Sequence, residues 1–579
     1  MHTINWTIPR SIHNQVSILE YIEKDSKSYR EVYVSLINKI TNYSFDKKPF
    51  SSYLRYNEYQ NLWPMAIPFE KSHYKSKHIS ELIKIIAFDD YLAKNKPKEI
   101  TLIGSDRNTL KTLYKICDSR GIKLVSKRIL ETVKKNKLYR IFPRSIQATF
   151  WIIKMFIKNI SLNSSKINNN FSIFICSYFS HLKNPDCKNG IYNSGIWGVL
   201  PEFLKSKNIN VNWLHHYIKS SVTPDCSKAQ QIIDKINQNE SSKHNIITGY
   251  LNIRVLIKII FGYAKLRIKT IKIRTLPVEL FHYKSIDFKK YLIEDFENSI
   301  FGISAIENIM WIELFNEILK SIPTQNLGIY LQENQGWEYA FINAWKFHGH
   351  KKLIAIQHSS VAFWDLRFYN PFTENNIQNL GIQKPDLFSV NGELSKKQFL
   401  DFGYKEKEII NLEALRYADL ITKKSKLEED TNIVVLGDIS NSNTLKMLDC
   451  IYPILNDNYN WKFKPHPANH IKIDKKYESD IRIIDEPIEE ILSNNTTIIS
   501  TSLTTSSIES LLMGLKTIIF QTPGELNRSP LKDEQSVRFV SSGKEIQLAI
   551  KMPRPKIYNQ NFFYYSKDLN KWGKLICSA

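Results

Sequence analysis

The stretches KFKPHPANH at 462–470 and STSLTTSSIESLLMG at 500–514 lie one strand-and-helix unit apart in a region rich in both. The first reads as a strand ending on a His-Pro pair, which aims the imidazole of His466 into a crevice. The second reads as a strand followed by hydroxyls that open a helix, so side-chain donors gather beside helix-terminal N–H groups. Polar chemistry at the C-terminal ends of strands marks the ligand crevice of an open α/β sheet, and the two stretches together predict a phosphate grip.

Outward from this pair, NIVVLGD, NWKFKPHP, IRIID, TTIIST and KTIIF are the candidate strands of one α/β lobe. The helices KKQFLDFGY, PIEEILSN and SSIESLLMG lie between them. FTENNIQNLGIQKPD precedes the restart of this pattern at DLFSVNGE. A boundary is expected there between Asn370 and Pro385, dividing the chain at 375/376 into lobes 1–375 and 376–579. In the first lobe FSIFICSY, IWGVLPEFLKSKN and NVNWLHHY form one strand-helix-strand unit, and LGIYLQE, WEYAFINAWKFHGH and KLIAIQHS form another. KEITLIGS, DRNTLKTLYKICDSRG and IKLVS repeat the alternation, with Gly121 closing the helix. Residues before about Lys75 are less regular, SLNSSKINNN reads as a loop, and the final NFFYYSKDLNKWGKLI reads as a helix packing back across the lobes. The expected fold is α/β, with two Rossmann-like lobes facing a central cleft and an elaborated N-terminal lobe.

At 579 residues and 42% hydrophobic content the chain can bury ample core and exceeds one compact domain. Cys117, Cys176, Cys187, Cys226, Cys450 and Cys577 contain no CxxC pair, which argues against a zinc ribbon or disulfide framework. The start MHTINWTIPRS has no charged stretch followed by a long apolar run. The expected location is cytoplasmic, or peripheral on the inner face of the cytoplasmic membrane.

Eighty basic against 57 acidic residues give a net charge of +23, which draws the chain toward anionic partners. Anionic lipid is favoured by residues 251–274, where Arg254, Lys258, Lys265, Lys269 and Lys272 recur at helical spacing beside Ile and Leu. FWIIKMFIKNI from Phe150 repeats the pattern. The alternative is a core helix with a solvated basic face. Nucleic acid is not expected as a partner, because no helix-turn-helix, RNP-like or zinc-finger pattern accompanies the charge.

The blocks YLQENQGWEYAFINAWK, AIQHSSVAFWDLRFYNP, KPHPA and the Ser/Thr run resemble bacterial surface-carbohydrate biosynthesis proteins related to the GT-B sialyl- and polysialyltransferases. The likeness runs from about Phe171 to the C-terminus. It implies a CMP-activated nonulosonic acid donor, inversion at the anomeric carbon, no catalytic metal and no cofactor beyond the donor. It also implies that His466, Ser506 and Ser507 sit at the donor phosphate, with Lys464, Pro467, Ser502, Thr504, Thr505 and Glu509 completing the donor site. In place of that family's acidic motif ending in Gly, this chain reads Glu333-Asn334-Gln335-Gly336, then Trp337-Glu338. Glu333 ends a strand at the expected cleft and is the candidate base; Glu338, in the first helical turn, is its competitor. The departing phosphate would meet a protonated His466 and the hydroxyls. Against these roles stand plainer ones: Glu338 favouring a helix N-terminus, Glu333 bridging to a Lys, and Ser502, Thr504 and Thr505 capping the helix.

His358, leaving the strand KLIAIQ, resembles the histidine of CDP-glycerol glycerophosphotransferases, which also carry a His-Pro motif. On that likeness the chain would transfer a polyol phosphate with His358 as base. Arg367 and Arg528 are candidates for gripping a donor carboxylate, with an Asp365–Arg367 ion pair as the alternative. A third possibility is a catalytically silent GT-B-like scaffold that uses its basic helices to hold an assembly on the inner membrane. Asp89-Asp90 reads as a solvated helix face, and His215-His216 as a packed strand end without a third metal ligand. No Gly-rich P-loop or GxGxxG follows a strand. The donor sugar stays open among sialic, legionaminic, pseudaminic and Kdo-like acids. The expected acceptor is a surface glycan or a lipid-linked oligosaccharide.

Overall fold

The computed structural model describes residues 2–127, 142–164, 167, 171, 173–274, 276–417, 432–456, 458–466, 481–486, 488–493, 497–553 and 562–577. Its larger sheets are three, and all of their strand pairs are parallel. Their strands are short Ile- and Val-rich runs buried on both faces, as parallel strands covered by helices must be.

The central sheet runs Ile409–Asn411, Leu387–Val390, Lys352–Ile356, Leu327–Leu331, Ile173–Phe179, Asn212–Tyr217, Lys243–Ile246. The C-terminal sheet runs Arg482–Ile483, Asn460–Lys464, Asn432–Leu436, Thr497–Thr501, Lys516–Phe520, Arg538–Val540. Numbered by chain position, both contain the order 3-2-1-4-5-6, so both are doubly wound. The order reverses between Ile173–Phe179 and Leu327–Leu331 in one and between Asn432–Leu436 and Thr497–Thr501 in the other. The α/β architecture of two Rossmann-like lobes is therefore as the sequence predicts.

Two expectations are corrected. Leu387–Val390 pairs with Lys352–Ile356 and then with Ile409–Asn411, so the central sheet runs on past the boundary expected at 375/376. The polar stretch that suggested a linker is instead a short helix, Glu374–Leu380, closed by Gly381 at φ +66° with Leu380 and Ile382 buried behind it. The first 127 residues also carry more order than their sequence suggests. Val16–Ser17, His2–Asn5, Glu99–Ile103 and Lys123–Lys127 form a four-stranded parallel sheet, and its core is continuous with that of the central lobe.

This N-terminal unit also touches the C-terminal lobe. Gly524 N donates to Thr7 O (2.7 Å), Lys84 Nζ donates to Gly524 O (3.1 Å), and Lys532 pairs with Glu23 and donates to Ser26 Oγ (3.1 Å). After the C-terminal sheet the chain returns: Phe562 and Phe563 join that lobe's core, and the helix Asn570–Cys577 buries Trp572 against Trp197 of the central lobe. Glu413 fixes this helix, its carboxylate accepting from Lys571 N (2.9 Å) and Trp572 N (3.2 Å). The returning chain passes so close that a Cβ at Gly392 would collide with the Phe562 carbonyl. Among the described residues no helix is long and apolar enough to cross a membrane.

Candidate functional site

Ligands in doubly wound sheets bind where the strand order reverses, beyond the C-terminal strand ends. In the central lobe that position is the loop after Leu327–Leu331, which carries Glu333. Asn334 takes a left-handed turn (φ +53°), and its amide donates to Arg367 O (2.9 Å) and Tyr404 Oη (3.1 Å), which holds the kink. The helix Gly336–Phe347 begins immediately after it.

Glu338 belongs to this helix start rather than to the crevice. Its Oε1 accepts from Glu333 N and Gln335 N (2.9 Å each), forming half of a capping box with Gln335, and the side chain is buried. Burial pushes its carboxyl up to about 8 and the Glu333 charge adds to this, against the opposing backbone bonds. The geometry thus favours the plainer role for Glu338 over that of competing base.

Glu333 is the opposite case. Burial alone would raise it, but His358, Arg367 and Gln335 outweigh that and hold it at about 2. Oε1 accepts from His358 Nε2 (3.2 Å), while Oε2 accepts from Gln335 and Tyr178 Oη (3.4 Å) and lies 3.8 Å from Arg367 Nη1. Among the described residues no lysine bridges to Glu333. His358 comes from the end of Lys352–Ile356, and its Nδ1 is buried with no hydrogen-bond partner among the described residues. Arg367 is gripped bidentately by Asp365 (2.7 and 2.8 Å), and Arg528 Nη2 donates to Glu525 (2.6 Å). Arg367 would have to exchange its Asp365 bonds to grip a donor carboxylate through the same edge, whereas Arg528 keeps its Nε–H unpaired among the described residues. Both stand near the Tyr74 ring, at 5.4 and 6.0 Å.

Across the crevice, the C-terminal lobe presents Asp438, His466 and the Ser/Thr loop. Asp438 is buried; it accepts from Thr501 Oγ1 (2.5 Å) and Ser440 N (2.7 Å), which ties together the two strands flanking the reversal. Burial holds His466 below its ordinary value, and the Asp438 carboxylate offsets only part of this. In this state the imidazole is mainly neutral at pH 7, not the protonated group expected from sequence. Lys464 Nζ donates to Glu486 O (2.7 Å), and Pro467 lies outside the described residues.

The hydroxyl run divides. Ser502 and Ser507 are buried, with Ser507 Oγ donating to Thr504 O (2.8 Å), whereas Thr504, Thr505 and Ser506 are half-buried. The helix Ser506–Leu512 has seven residues and no side-chain cap, so the loop offers hydroxyls rather than a strong dipole, and the capping role is not seen. Arg416, which no sequence motif marks, reaches this loop from the chain between the sheets. Its Nη2 lies 3.4 Å from Thr505 Oγ1 and 3.9 Å from the buried Glu509.

Burial, with the positive charge of Arg416 next in size, pushes His181, in the loop after Ile173–Phe179, down to about 4. The sequence missed His181, Tyr178, Asp438 and Arg416. Only Asp438 carried a signal, as the polar residue ending NIVVLGD.

Elsewhere, His215 and His244 stack in the core with Nε2 and Nδ1 3.0 Å apart, and His216 packs on Trp311 and Trp337, so the packed strand end is as expected. Asp89 is not on a solvated face. It is buried and paired with Arg120 (2.6 Å), while Asp90 accepts from Tyr21 and Tyr29. Among the described residues the cysteines are free, four of them buried, and no group of three or more His, Cys, Asp or Glu is arranged to hold a metal.

No protein-family model matches the chain, and no curated protein matches it in sequence. Solved structures do. The calicheamicin glycosyltransferase CalG4 aligns at 8% identity and TM-score 0.39 over 71% of this chain and 95% of its own. A UDP-N-acetylglucosamine 2-epimerase aligns at 10% and 0.37 over 66% and 87%. The lipopolysaccharide outer core galactosyltransferase WaaB aligns at 10% and 0.36 over 70% and 99%. Likeness at this level carries no argument about substrate or mechanism; the fold rests on the strand order itself.

Proposed function

We propose that the chain is a glycosyltransferase that binds a CMP-activated nonulosonic acid at the C-terminal lobe and transfers the sugar, with inversion, to a bacterial surface glycan or lipid-linked oligosaccharide. One observation carries this reading: Glu333 follows a strand flanking one strand-order reversal and pairs with His358 from the next strand, while the hydroxyl loop follows a strand flanking the other reversal, with His466 at the end of the strand beside its partner. The resemblance of KPHPA and the Ser/Thr run to the sialyltransferase group supplies the donor class.

The acceptor hydroxyl attacks the anomeric carbon as the bond to the CMP phosphate breaks, and its proton must leave. Glu333 is a poor acceptor for that proton, being held at about 2 with both oxygens engaged. His358 suits the step better. Its Nε2–H bond to the carboxylate leaves Nδ1 with the lone pair, and the ionised Glu333 stabilises the imidazolium that forms. The departing phosphate gathers charge that His466, Thr505, Ser506 and Arg416 are positioned to meet.

Transfer of a polyol phosphate from a CDP donor is a second reading, favoured by His358 in the role of base. Calorimetry with CMP, CDP and UDP, wild type beside His466→Ala, tests the donor. CMP or CDP binding weakened by about 1–2 kcal/mol in the variant supports the site. Selective UDP binding points to an ordinary hexosyltransferase, and no nucleotide binding points to a scaffold.

A further inference from the structure

Two helices on the outside of the central lobe have an apolar stripe on each of two faces. Arg144–Lys158 buries Ala148 and Ile152 in the shared core, yet Ile146, Phe150, Ile153 and Ile157 are exposed at spacings of four, three and four, and Ile160 continues the row. Ile253–Lys269 buries Val255, Ile259, Tyr263 and Leu266, yet Ile253, Ile257, Phe261 and Ile268 are 62–73% exposed. Both helices pack on Ile303–Lys320 and touch each other. These two helices hold nine of the 26 large apolar side chains exposed among the described residues. An inward stripe is what the core requires of a surface helix; the second, outward stripe has no partner among the described residues.

The charge around the stripes is one-sided. Neither helix contains an Asp or Glu. Lys154, Arg254, Lys265, Lys269 and Lys272 are exposed beside the apolar rows, while Lys258 pairs with Glu317 of the underlying helix. Apolar side chains flanked by basic ones match the interface of an anionic bilayer, where Ile and Phe enter the acyl boundary and the ammonium groups meet lipid phosphates. A nucleic acid would use the lysines but would leave the Ile and Phe rows in water.

We infer that these paired helices form a docking surface for an anionic lipid membrane, on which the protein lies without crossing it. The inference stands on the surface itself and does not depend on the proposed reaction. If both hold, the crevice would work beside the bilayer that carries a lipid-linked acceptor. Ile303–Lys320 packs on Gly336–Phe347, the helix that starts at the Glu333 loop, so two helices separate the surface from the loop that carries Glu333.

Co-sedimentation of the full chain with vesicles of phosphatidylcholine alone, or of phosphatidylcholine with about one-third phosphatidylglycerol, tests the inference. Partition onto the phosphatidylglycerol vesicles is expected, reduced roughly tenfold or more in Ile157→Asp/Phe261→Asp and weakened by Lys265→Glu and by salt. Both aspartate sites are exposed, and an unchanged circular dichroism melt confirms that the variant folds. Nucleotide binding by calorimetry should be unaltered in it, which separates failure of docking from failure of the donor site. Absence of vesicle binding overturns the inference, as does binding retained by the double variant. So does a wild-type dimer that the double variant makes monomeric, because the stripes would then join two copies of the chain.

Discussion

His358 Nε2 lies 3.2 Å from Glu333 Oε1, and that carboxylate's other oxygen is already engaged by Gln335 and Tyr178. The pair therefore acts as one unit. Its acid end, held at about 2, is ionised at every physiological pH.

Glu333→Gln and His358→Asn should each lower transfer by roughly 10²–10⁴-fold, and the double variant should fall little further, because the two residues serve one proton transfer. The pH profile separates their roles. A rate set by titration of Glu333, held at about 2, would stay flat down to about pH 3. A profile that changes well above that pH assigns the proton transfer to a group other than Glu333.

Glu338 leads to a stability prediction. The folded protein keeps the carboxyl proton up to about pH 8, whereas the ordinary value is 4.5. Between these values the folded state binds more protons than the unfolded chain, so stability falls as pH rises across the window. Glu338→Gln preserves the accepting Oε1 and removes the titration. It should match wild type near pH 4.5 and exceed it by roughly 1–3 kcal/mol at pH 8 in urea unfolding.

His466 starts below its ordinary value, and a phosphate arriving beside it would raise it. Nucleotide binding should then take up a proton and tighten as pH falls through the region between the two values. Calorimetry at pH 6 in buffers of different ionisation enthalpy reads that uptake directly. In His466→Ala it should vanish, and uptake that persists would assign it to another group.

Asp89→Ala leaves Arg120 without its carboxylate beside a buried helix face. A loss of about 2–4 kcal/mol is expected in denaturant titration, as for other broken ion pairs with one buried member. A change below about 0.5 kcal/mol would return Asp89 to the solvated face that its sequence suggests.

The strands NIVVL, KLIAI and KTIIF announce themselves in sequence because parallel strands buried on both faces must be continuously apolar. The strand-end positions of Glu333, His358 and His466 follow from them. What the strands could not convey is the direction in which a side chain turns. Glu333 and Glu338 are five residues apart and chemically alike, yet the left-handed turn at Asn334 sends one toward the crevice while the helix start claims the other. Arg416 was invisible because its role depends on where the chain crosses between sheets, a long-range contact that no local pattern encodes. The boundary error has a similar cause. Glu374–Leu380 is polar enough to pass for a linker, and only its packing under the central lobe shows otherwise.

The contacts of Thr7, Lys84 and Glu23 with Gly524 and Lys532 bear on how often the crevice opens. They add to the ring contacts of Arg528 with Tyr74 and of Lys532 with Phe363, so the C-terminal lobe is held from the N-terminal side as well as by its chain crossings. Any excursion of that lobe must break a few hydrogen bonds worth about 0.5–1.5 kcal/mol apiece. When departure of the spent nucleotide waits for such an excursion, turnover is slowed by an N-terminal unit whose Thr7, Glu23 and Lys84 take no part in the chemistry.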